Sequence, residues 1–149
     1  MMKTNEVVKK LKSIRYDIGK IVDDVGYVYS NEFENLDVDK TNPNDVFLED
    51  EIGNILEMFL QIESKIKYID LPIKYESVLH RNSYGRYETE YGDDFTCGST
   101  IEYLSIDEKY EEYPSWKKSV IEYINENYYI AREPKLSLNG LLVRVRRFD

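Results

Sequence analysis

The sequence predicts an α+β protein: an N-terminal antiparallel helical hairpin followed by a small antiparallel β-barrel of five to six strands. Three observations carry this expectation. Before Pro72, apolar residues recur at three- and four-residue steps through two long stretches, which is the period of an amphipathic helix. After Pro72, short alternating runs sit between turn residues, the pattern of a small sheet that closes on itself. The 149 residues, 42% of them apolar, suffice for one small domain with a helical extension. The expected division is 1–72 for the helices and 73–149 for the barrel.

The first helix is expected over residues 4 to about 29. Val7, Val8, Leu11, Ile14, Ile18, Ile21, Val22 and Val25 form one apolar stripe, and Lys9, Lys10, Lys12, Asp17, Lys20 and Asp23 lie opposite. Thr4 is the expected N-cap and Gly26 the expected end. Residues 30 to 45 break the period and are acidic, with Asn42-Pro43-Asn44 as a turn signal. Phe33, Leu36 and Val38 are the residues that would pin this segment to the body. The alternation Asp37-Val38-Asp39 lacks the glycine and the glutamate that a calcium loop needs at its sixth and twelfth positions, so no metal site is expected. The second helix is expected from near Asp45 to about Tyr68, with Phe47, Leu48, Ile52, Ile55, Leu56, Phe59, Ile62 and Ile66 as its buried stripe, widened by Met58 and Leu60. Asp45, Glu49, Asp50 and Glu51 sit in its first turns and Lys65 and Lys67 at its end, where the helix dipole favours each sign. Pro72 closes it.

Strands are expected at 74–80, 86–91, 100–106, 116–124, 127–131 and 141–148. Asn82-Ser-Tyr-Gly85 joins the first pair, and Asn125-Glu126 forms a tight hairpin. In the last strand Val143 and Val145 alternate with Arg144 and Arg146, so one face is apolar and the other cationic. Ordinary pairing of those arginines with acids such as Glu122 or Glu102 is the plain expectation.

Composition narrows function. Cys97 is the single cysteine, which excludes an intrachain disulfide and a cysteine-based metal cluster. His80 is the single histidine, and no nucleophile elbow, P-loop or histidine–glutamate zinc motif appears, so no catalysis is expected, although a paired-carboxylate site has no sequence signature to look for. No cofactor is expected. The net charge of −9 argues against ordinary phosphate-backbone binding and suits a basic partner. The 14 tyrosines suit strands and interfaces, since each offers a flat apolar ring with a polar tip. No apolar run reaches the length of a membrane span, and Lys9, Lys10 and Lys12 interrupt the only stretch where a leader could lie, so a cytoplasmic protein is expected.

Several spaced elements also carry a resemblance. Leu79-His-Arg-Asn-Ser-Tyr-Gly-Arg-Tyr-Glu, Phe95-Thr-Cys-Gly-Ser-Thr-Ile-Glu-Tyr-Leu, Trp116, Tyr128-Tyr129 and Leu138-Asn-Gly-Leu-Leu-Val-Arg-Val-Arg occur in that order. The second half of the chain thereby resembles an uncharacterised bacterial domain-of-unknown-function family. The resemblance implies an SH3-like barrel and an occurrence on plasmids, phages and integrated elements; it brings no activity and no catalytic residues. Gly85, Gly98 and Gly140 read as turn residues, and Trp116, Tyr87 and Tyr129 as the large side chains that fill the barrel.

Two functions fit. The first is a protein-binding module from a mobile element, an inhibitor of a host nucleic-acid-targeting defence complex in the manner of anti-CRISPR proteins. Its expected surface is Glu32, Glu34, Asp37, Asp39, Asp45, Glu49, Asp50 and Glu51, carboxylates that would mimic phosphates against a basic channel. The second is a nucleic-acid-binding accessory protein that uses Arg81, Arg86, Arg144, Arg146 and Arg147 with nearby tyrosines as stacking platforms. The broad apolar stripe of the hairpin also suits a homodimer.

Overall fold

The computed structural model describes residues 1–30, 32–107 and 109–148. The chain divides into two compact units, Met1–Asp70 and Leu71–Asp149. The fold class is α+β, as the two periodicities predict.

In the first unit, α1 (Thr4–Val25) and α2 (Pro43–Asp70) form a hairpin. They run antiparallel: Lys12 pairs with Asp70, Arg15 reaches Glu63 and Asp70, and further along Tyr27 Oη donates to Glu57. The N-cap of α1 is Lys3 rather than Thr4. The reason lies at Glu6, whose carboxylate accepts the Lys3 backbone N–H at 2.8 Å. With Thr4 as the cap, Val7 would hold the reaching-back position and could accept nothing. Gly26 ends the helix in the left-handed region (φ 60°), and its N–H donates to the Asp23 carbonyl while the Tyr27 N–H donates to that of Val22.

Helix α2 starts two residues earlier than its periodicity predicts. The Asn42 side chain accepts the Asn44 N–H at 2.9 Å, and Pro43 occupies the first helical position, where its missing N–H costs nothing. Asn42-Pro43 is therefore a cap rather than a free turn. Neither apolar stripe is wholly buried. Ile18, Leu56 and Ile66 form the seam, whereas Val7, Ile14, Ile21, Phe47, Leu48, Ile55, Met58 and Ile62 stay exposed. Two helices alone offer each other one face apiece, so a stripe wider than that face extends onto the surface.

The second unit holds two antiparallel sheets in an open, barrel-like arrangement. Strands β1 (Ile73–Val78), β5 (Thr100–Ser105), β6 (Ser115–Ile124), β7 (Asn127–Ile130) and β8 (Leu142–Arg146) form one sheet in the order β1-β8-β5-β6-β7. Strands β2 (His80–Arg81), β3 (Tyr87–Glu88) and β4 (Asp94–Phe95) form the other. The first predicted strand is thus split at Leu79 between two sheets, and the 86–91 strand shrinks to two residues. The Thr89 hydroxyl explains the shortening, because it accepts the N–H groups of Tyr91 and Asp93 and turns the chain there. Strand β4 has too few alternating residues to read from sequence.

The core consists of Leu79, Phe95, Ile101, Tyr103, Ile121, Ile130, Leu138, Leu141 and Val143. Tyr87 packs against its margin and Trp116 and Tyr129 are only half-buried, so the centre is filled not by the three expected aromatic residues but by aliphatic side chains with Phe95 and Tyr103. Gly85, Gly98 and Gly140 adopt the positive φ that their turns require.

Candidate interaction surface

The acidic segment between the helices is held by specific contacts. Tyr27 and Phe33 form an isolated bridge with ring centroids 5.4 Å apart. Beyond them, Leu36 and Val38 line a small cleft of about 150 Å³ with Leu48 and Ile52 of α2. The tip is then tied to the helix start. Asp39 accepts the Thr41 N–H at 2.9 Å and its hydroxyl at 2.7 Å, and Asp45 accepts the Asp39 N–H. The Thr41 hydroxyl, and then its N–H, hold the Asp39 carboxyl below its ordinary range. Lys40 pairs with Glu49.

These contacts sort the eight expected carboxylates into two groups. Asp39, Asp45 and Glu49 are engaged within the unit. Glu32, Glu34, Asp37, Asp50 and Glu51 are exposed, and among the described residues their side chains have no hydrogen-bond or ion-pair partner. Residues 32–51 hold eight carboxylates against the single cation Lys40.

The basic residues of the second unit are arranged differently. Arg144 and Arg146 both pair with Glu102, which is buried at the centre of the sheet. Arg146 also donates to the Leu71 carbonyl at 2.8 Å, and the Arg144 guanidinium lies 4.5 Å from the centre of the Trp116 ring. Arg147 donates to Asp93 at 2.7 Å, and Arg86 to Asp94 at 2.9 Å. Arg81 alone of the five expected arginines has no carboxylate partner among the described residues. Of the two acids expected as partners, Glu102 has that role, while Glu122 instead hydrogen-bonds Tyr129 and raises the pKa of that phenol.

One polar cluster carries no sequence signal at all. Lys117 lies 3.1 Å from Glu111 and 3.9 Å from Glu133. It shares an open groove with Tyr103, whose pKa is pushed up to about 12 by burial and then by its hydrogen bond to Glu133. Backbone donation from Asp107, followed by Lys117 and Ser115, holds Glu111 low. These partners come from β5, β6 and the segments that follow β5 and β7, so only folding brings them together. His80 lies 3.2 Å from Glu88 across the β2–β3 pair, and Cys97 is exposed in the turn before β5. Among the described residues, no three histidine, cysteine or acidic side chains are grouped to hold a metal ion. Among the described residues, no helix is long and apolar enough to cross a membrane.

No curated protein and no solved structure matches the chain. Residues 77–145, which include β2 to β7 and nearly all of β8, match the family described as a domain of unknown function, DUF5348. Leu79, Gly85, Trp116 and Arg144, residues that place its turns and fill its sheet, all fall within that span, and the C-terminal half of this chain therefore carries a domain of that uncharacterised family.

Proposed function

We propose that this protein acts by binding rather than by catalysis, using the acidic strip of its helical unit against a basic surface on a protein partner. The observation that carries this reading is the set of five exposed carboxylates, Glu32, Glu34, Asp37, Asp50 and Glu51, that the chain's own cations leave unneutralised. Such a strip presents fixed negative charge at intervals, as a nucleic-acid backbone does, and accelerates encounter with a cationic groove. A complex that handles nucleic acid is the partner class with such a groove. Occupying it would exclude the nucleic acid, and a host defence complex is the proposed target.

The test is co-purification with candidate nucleic-acid-targeting complexes at low and high salt, with the native chain and with a variant carrying Glu32→Lys, Glu34→Lys, Asp37→Lys, Asp50→Lys and Glu51→Lys. The expected result is capture at low salt, weakening at higher salt, and loss in the variant. Capture that ignores both salt and charge reversal would sink the reading. A nucleic-acid-binding role through the arginines has less support, because Arg86, Arg144, Arg146 and Arg147 are already paired with carboxylates. Only Arg81 argues for it, and a low-salt titration of Arg81→Glu against single-stranded DNA would register that contribution.

A further inference from the structure

We propose that the apolar face of the helical hairpin is a homodimer interface in which α1 of one copy lies antiparallel on α2 of the other. Val7, Ile14 and Ile21 repeat every seventh residue on α1 and remain between 41% and 48% exposed. Leu48, Ile55, Ile62 and Ile69 repeat at the same interval on α2, with exposure in the same range. A seven-residue repeat keeps side chains in one nearly straight row, the arrangement of helices that pack lengthwise on others.

Both rows lie on the same side of the hairpin. At 3.6 residues per turn, the α1 row falls about 40° counter-clockwise of Ile18 and the α2 row about 70° counter-clockwise of the Leu56–Ile66 seam, each helix being viewed from its N-terminus. The helices are antiparallel, so these two displacements of the same sense point to one side of the plane that contains both axes. The cross-helix ion pairs set the level. Arg15 reaches both Glu63 and Asp70, and Lys12 reaches Asp70, so Ile14 is about level with Ile69 and Ile21 with Ile62.

This levelling is compatible with a second copy as the occupant. A two-fold axis parallel to the helices places α1 over the partner's α2 with no change of level. Ile14 then meets Ile69 of the partner subunit, and Ile21 meets Ile62 of the partner subunit. The charges agree with the same operation. Asp17 flanks the row on the outer margin of α1 and Lys65 on the outer margin of α2, at matching levels, and neither has an ion-pair partner among the described residues. Within one hairpin they stand on opposite margins; across the two-fold they adjoin. Ile14 and Ile21 of α1 and Ile62 and Ile69 of α2 lie at levels where both helices are present, so these four half-exposed side chains form the centre of the contact.

Sedimentation equilibrium of the full chain from about 1 to 100 µM tests this, with circular dichroism as the control for folding. The expected result is a dimer that Ile14→Asp or Ile62→Asp converts to monomer while helicity is kept. Because a core-adjacent aspartate could unfold the hairpin, a charge exchange at the two exposed margins provides a second test. Asp17→Lys should raise the dimer Kd roughly tenfold, and adding Lys65→Asp should restore it. A native chain that stays monomeric at every concentration would overturn the proposal, and so would a monomer whose aliphatic face is covered by its own chain or by a different protein. A dimer indifferent to the isoleucine substitutions, or a charge exchange that fails to recover affinity, would overturn it equally.

Discussion

Glu102 has both carboxylate oxygens engaged, one by Arg144 and the other by Arg146, and it faces Lys118 across β5 and β6. Removing it would leave two half-buried guanidinium groups without their counter-charge, which costs more than the lost contact itself. Glu102→Ala is expected to lose about 3 kcal/mol in urea unfolding, with a change in the fluorescence of Trp116, on which Arg144 stacks. Tyr103 titrates on the alkaline side. Its folded pKa is raised to about 12 from the ordinary 10.0, so its contribution is complete below pH 10 and is lost as pH rises toward 12. Thermal denaturation across that window should show a fall in stability that Tyr103→Phe lessens. The sequence suggested Glu102 as one possible partner of the arginines, because opposite charges on neighbouring strands pair readily. It offered nothing for Tyr103, whose shift comes first from burial in the folded sheet and then from Glu133 arriving from beyond β7.

At the scale of elements, the helix ends and hairpin turns were the most legible features, since each is decided by two or three adjacent residues. Gly26 terminates α1 where a left-handed residue is needed, and the Asn125-Glu126 turn joins β6 to β7 as its length predicts. That turn places both residues at positive φ, 49° and 65°. Glutamate is strained there, so Glu126→Gly should raise stability by about 0.5–1 kcal/mol, read as a higher urea midpoint. Residues 79–95 were the least legible. Leu79 separates β1 from β2, and β3 and β4 are two residues each, because the Asn82 and Thr89 side chains accept backbone N–H groups and fold the chain more tightly than any alternation can report. The breadth of the apolar stripes was legible, but the boundary between seam and surface was not. Periodicity gives the direction of a helix face and says nothing of how much of it a neighbour covers.

For the whole molecule, charge is the organising quantity. Residues 1–70 contain 9 basic and 15 acidic side chains, so most of the net −9 belongs to the helical unit. The second unit pairs Arg86, Arg144, Arg146 and Arg147 with its own carboxylates. Association through the acidic strip should therefore weaken steadily as ionic strength rises, because exposed charges are screened within about 10 Å at 0.1 M salt. The dimer, resting on aliphatic contact, should be far less sensitive, and comparing the two salt profiles separates the surfaces. The sequence by itself determined the class of the fold, the places where helices stop and hairpins turn, and the sign of the net charge, since all of these follow from local periodicity, backbone preference and composition. Only the tertiary structure decided which charges are free. Whether a carboxylate faces solvent, like Glu51, or is held by arginines from another strand, like Glu102, depends on residues more than 40 positions apart that meet only in the folded chain.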